Sequence, residues 1–133
     1  VAPNISDAGT KVVLEMALSV LSCAAVRTAK ELAWMKEETD AIEAVARRFV
    51  EEMPETDALS AALAAFDAGR TGSLYIDAAQ ADYQLISEVL SCATDAAFAS
   101  GDTARIAAVE QLLGQRMANE NAVTGTFIAV GRT

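Results

Sequence analysis

Apolar residues recur along this chain at spacings of three and four, and the backbone breakers fall between the apolar runs. Pro3, Gly9, Pro54, Gly69, Gly72, Gly101, Gly125 and Gly131 bound alanine- and leucine-rich stretches, and only Gly114 lies inside one. That pattern predicts helices joined by short turns, with no sheet signal before the last dozen residues. Residues 1–9 read as a polar lead-in in which Ser6 or Asp7 caps the first helix. From Thr10 to Met53 there is neither Gly nor Pro. One straight helix of that length would run about 65 Å, about twice the diameter of a compact domain this size. The stretch must break, or the molecule must be elongated. The most polar five residues, Lys36 to Asp40, are the expected break, with Asp40 and Glu43 as a capping box for a new helix over 40–53.

A short helix over Asp57–Ala68 carries Leu59, Leu63 and Phe66, and Gly69 to Gly72 form a turn. The helix expected over Leu74–Ala99 has the cleanest period in the chain. Ile76, Ala79, Tyr83, Ile86, Leu90, Ala93 and Ala97 alternate steps of three and four. A further helix over Thr103–Asn119 is expected to bury Ile106, Val109, Leu113 and Met117, with Gly114 marking a close helix crossing. Beyond Asn119 the residues are β-branched, and 120–133 read as an extended, strand-like tail that packs through Phe127 and Ile128. The expectation is an all-α bundle of about five helices: lead-in 1–9, bundle 10–119, tail 120–133.

Composition sharpens that picture. Hydrophobic residues are 53% of the 133 while aromatics are only 5%, so the core is aliphatic and one domain is expected. A net charge of −9, with ten basic residues scattered among nineteen acidic ones, argues against nucleic acid and against anionic membranes. Val12 to Val26 is the most apolar run, about 15 residues interrupted by Glu15, Ser19 and Ser22. It falls short of the roughly 20 residues a membrane span needs, so no span is expected. A helix apolar on all sides but one narrow stripe reads as the central helix of the bundle. The start of the chain lacks the basic region and cleavage site of a signal peptide. Composition leans slightly toward a cytoplasmic location.

Chemistry is sparse. The chain contains no histidine, which removes imidazole bases, haem ligation through histidine and Glu-x-x-His di-iron sites. No Gly-x-Gly-x-x-Gly or P-loop string occurs, and the carboxylates cluster where solvated charge normally falls. Cys23 and Cys92 are expected to be buried thiols, each inside the pentapeptide Val-Leu-Ser-Cys-Ala that recurs at 20–24 and 89–93. Phe66 to Asp77 resembles the outline of an EF-hand over about twelve residues, with Asp67 as first ligand, Gly72 as central glycine and Leu74 as plug. Gly69, Thr71 and Ala78 stand where that loop needs oxygen ligands, so the segment reads as a turn. No cofactor and no metal are expected, and no catalytic set can be assembled.

The function these features favour is non-enzymatic: a helical protein that acts by associating with a protein partner, a second copy of itself first among them. The interface or packing stripe would comprise Ile76, Tyr83, Ile86, Leu90, Phe127 and Ile128. The alternative is a module that holds an apolar small molecule between its helices, with Tyr83, Trp34 or Arg27 as a polar anchor.

Overall fold

The structure, a computed structural model, describes residues 7–124. Among them are four helices and no strand: α1 (Ala8–Glu52), α2 (Asp57–Gly69), α3 (Ile76–Ser100) and α4 (Thr103–Thr124). The chain is all-α and bundle-like, with one helix fewer than the sequence predicts. The difference lies at Lys36–Asp40, where α1 continues without a break. Those polar residues are satisfied inside a helix. Lys36 donates to Asp40 one turn on (2.7 Å), the Thr39 hydroxyl donates to the Met35 carbonyl (2.6 Å), and Glu38 faces inward.

The helices alternate in direction. Thr56 and Met53 join α1 to α2, and Arg47 meets Asp67 (2.6 Å), so α2 runs back along α1. Tyr83 reaches Glu38, which aligns α3 with α1. Arg105 meets Glu52 and Arg116 meets Glu38, so α4 descends antiparallel to α1. Four helices, each antiparallel to the next in sequence and with α1 and α3 parallel, bury one aliphatic core. It contains Ile42, Ala46 and Phe49 of α1, Leu59, Leu63 and Phe66 of α2, Ile86 to Ala97 of α3 and Val109 of α4.

Within the expected α3 stripe, Ile86, Leu90, Ala93 and Ala97 are fully buried, Tyr83 is half-buried and Ile76 lies exposed at the helix start. Two further expectations on α4 need correction. Leu113 and Met117 face outward, while Ile106, Val109, Leu112, Arg116, Asn119 and Val123 turn inward, two of them polar. Hydrophobic periodicity misplaced this face because α4 turns hydrogen-bonding side chains into the bundle. Residues 120–124, expected to be extended, are the last turn of α4; Phe127 and Ile128 lie outside the described residues.

Gly114 is not at a crossing: a Cβ there would meet nothing within 4 Å. Close approach occurs instead at Gly69, where a Cβ would come 2.8 Å from Leu85 Cδ1. Gly72, in the α2–α3 loop, has φ of 65°, a conformation that costs other L-residues about 1–2 kcal/mol. Chemical denaturation should therefore find Gly114→Ala more stable than the parent by about 0.5–1 kcal/mol, whereas Gly72→Ala loses stability.

Candidate association surface and buried polar cluster

Two features of the bundle lie outside ordinary core packing, and both involve α1. The first is a polar cluster centred on Glu38, which is buried. Its carboxylate accepts from Tyr83 Oη (2.6 Å) and Arg116 Nε (3.1 Å) on one oxygen and from Asn119 Nδ2 (2.6 Å) on the other. Arg116 stacks over the Tyr83 ring at 4.7 Å and donates to Ser87 Oγ (3.1 Å). A buried carboxylate survives only when its lone pairs are filled, and here they are filled from α3 and α4 at once. Burial, and then the neighbouring Glu38 carboxylate, push the Tyr83 phenol well above its ordinary value.

The cluster is closed on itself. Among the described residues no buried side-chain polar atom lacks a partner. Of the three proposed ligand anchors, Tyr83 is committed to Glu38, and Arg27 is exposed and faces Glu31 (3.6 Å) and Glu120 (3.9 Å). Trp34 is half-buried beside a shallow cleft of about 180 Å³ that it shares with Glu31, Glu38 and Tyr83. The cluster's geometry is that of a register lock between helices.

In the segment that resembles an EF-hand, Asp67 pairs with Arg47, and the carboxylate that holds the loop is Asp82 of α3. It accepts from the backbone N–H groups of Thr71 (2.8 Å) and Gly72 (2.9 Å). Among the described residues no group of acidic or cysteine side chains is arranged to hold a metal ion.

The second feature is the N-terminal half of α1. Asp7 caps the helix by accepting from the Thr10 N–H (2.8 Å). From there to Trp34 no residue is buried, although the segment includes the most apolar run of the chain. Val13 is 66% exposed, Val20 55% and Leu21 64%, with Val12, Met16 and Leu18 exposed beside them. The sequence reading of this run as a central bundle helix is thus corrected: it projects past the bundle. Val20 and Leu21 lie in solvent, yet Val89 and Leu90, in the same pentapeptide, are 0% and 3% exposed. Cys23 donates to the Val123 carbonyl (3.1 Å), where the end of α4 reaches α1, and Cys92 packs against the core.

By length and composition α1 also contains an 18-residue window apolar enough to cross a membrane, with mean hydropathy 1.6 and none of it buried. At the base of the projection, Leu74, Tyr75 and Ile76 form an exposed apolar shoulder at the start of α3. A groove of about 420 Å³ opens beside it, lined by Leu32, Met35, Phe66 and Leu74 among others. No family model, no curated protein and no solved structure matches the chain.

Removing the Glu38 carboxylate strands Arg116, Asn119 and the Tyr83 hydroxyl, so Glu38→Ala should cost about 3 kcal/mol in urea denaturation. Because the Tyr83 phenol titrates higher in the folded chain, its stability contribution is complete below the unfolded value, near pH 10, and falls as pH rises beyond it. Denaturation at pH 8 and pH 11 should show that loss in the parent and a smaller one in Tyr83→Phe.

Proposed function

We propose that this protein acts by association with another protein surface through the projecting half of α1, and that it is not an enzyme. The observation that carries the reading is the exposure of a contiguous apolar helix next to an apolar shoulder. Monomeric soluble proteins rarely expose continuous apolar patches of more than a few hundred Å², and larger ones mark interaction sites. A helical segment of about 15 residues that α4 touches only near Cys23 and Arg27 is also marginal in water, so the projection gains order from whatever covers it.

The polar cluster supports the same reading from the other side. Glu38 fixes α1 against α3 and α4, which holds the base of the projection at a set angle to the bundle. A rigid base limits the ordering cost of association. An apolar ligand held between the helices draws less support, since the inward polar groups are already paired with one another. Insertion in a bilayer also fits less well. The apolar window of 18 residues spans about 27 Å, close to a hydrocarbon core of about 30 Å, but Glu15 lies within the run from Val12 to Val26, and a carboxylate at that depth is costly.

Light scattering across a concentration series tests the reading. The full chain should exceed monomer mass, and Val13→Gln combined with Val20→Gln and Leu21→Gln should lower that mass while leaving the bundle folded. A monomer into the millimolar range leaves only a different protein as partner, and if the three substitutions then bring no gain in solubility, the apolar face is not an exposed association surface and the reading is refuted.

A further inference from the structure

Given association as the function, we infer that the partner is a second copy of this chain, its projecting helix running antiparallel to the first. Each tip then lies against the shoulder at the base of the other. Three properties of the surface converge on that occupant.

The first is continuity of one helical face. Val13, Ala17, Val20 and Ala24 lie at steps of four and three that lead, through Thr28 and Glu31, into Met35, Glu38, Ile42, Ala46 and Phe49. The lower part of this stripe is buried in the bundle, while Val13, Ala17, Val20 and Ala24 stay exposed, with α4 reaching α1 beside them at Cys23 and Arg27. The upper part is self-complementary when reversed. About a two-fold axis between Leu18 and Ser19, Val13 meets Ala24 of the second copy and Ala17 meets Val20, large against small at each level. A parallel pair would oppose valine to valine and alanine to alanine, leaving gaps at alternate levels.

The second is charge. Segment 7–31 holds Lys11, Arg27 and Lys30 against Asp7, Glu15 and Glu31, so it is neutral and the whole net charge of −9 resides on the rest of the chain. Antiparallel pairing keeps the two acidic bundles at opposite ends of a neutral shaft. Parallel pairing would set them side by side, where their repulsion opposes assembly.

The third is size and fit at the ends. With the axis between Leu18 and Ser19, the tip at Ala8 reaches the level of Ala29 in the second copy. That is one turn from Leu32, at the mouth of the groove beside Leu74 and Tyr75, and Tyr75 is 84% exposed. Segment 8–29 pairs 22 residues of helix with its copy, and Leu74, Tyr75 and Ile76 extend the apolar surface at each end.

The test combines mass with distance. In a full chain carrying Cys23→Ala and Cys92→Ala, a spin label at Ala8→Cys should lie about 30 Å from its copy, from 21 residues at 1.5 Å rise. Sedimentation should give a dimer, and Tyr75→Asp at the shoulder should weaken it about tenfold or more without loss of helix by circular dichroism. A dimer whose labels lie under about 20 Å apart overturns the antiparallel arrangement and leaves association through the projection standing. A monomer that moves into neutral phosphatidylcholine vesicles overturns both, and one that stays in solution overturns the second copy as partner. A dimer that survives Val13→Gln with Val20→Gln assigns its interface elsewhere and overturns both readings.

Discussion

One apolar stripe runs the length of α1, and among the described residues only its C-terminal half is buried. The rest of the structure follows from that mismatch. Met35, Ile42, Ala46 and Phe49 supply the face around which α2, α3 and α4 assemble, and their burial anchors the core. The same period continues through Ala24, Val20, Ala17 and Val13 into solvent. A helix of 45 residues in a chain of 133 extends farther than the other three can cover. The described helices bury the C-terminal half of α1, and its exposed first half is the surface proposed for association.

Polar interactions fix where coverage ends. Glu38 lies a turn below the uncovered segment and gathers Tyr83, Arg116 and Asn119 from two other helices. Above it α4 touches α1 again, Val123 at Cys23 and Glu120 at Arg27. Lower down, Glu43 accepts from Arg47 and Arg70, and Arg47 reaches Asp67, tying α2 to α1 at the surface. Exposed pairs of this kind contribute little each, so the buried cluster is the stronger constraint on register. Packing sets the fold, and Glu38 sets the axial position of α1 within it.

Much of the helical architecture was legible in the sequence. Leu59, Leu63 and Phe66, and the run from Ile86 to Ala97, announced their helices by period alone, and Gly101 ended α3 in a left-handed cap. Legibility failed where polar side chains point inward. Lys36 to Asp40 read as a break because the i,i+4 pairing of Lys36 with Asp40 and the inward turn of Glu38 are invisible to composition. Arg116 and Asn119 hid the buried face of α4 for the same reason. The surface proposed for association was visible as an apolar run but not as an exposed one. Hydropathy reports what a segment would bury, and only the lengths of the neighbouring helices tell whether they can bury it. The repeated pentapeptide at 20–24 and 89–93 is the clearest instance, one sequence in two opposite environments.

The central claim is that the first half of α1 is held in place by association. Amide hydrogen exchange, followed along α1 at protein concentrations from well below to well above the association midpoint, tests it most directly. Protection over residues 12–26 should appear as mass rises and fade on dilution, while Ile42 to Phe49 stay protected throughout. Equal protection of both halves at every dilution, in a chain of monomer mass, would contradict the account.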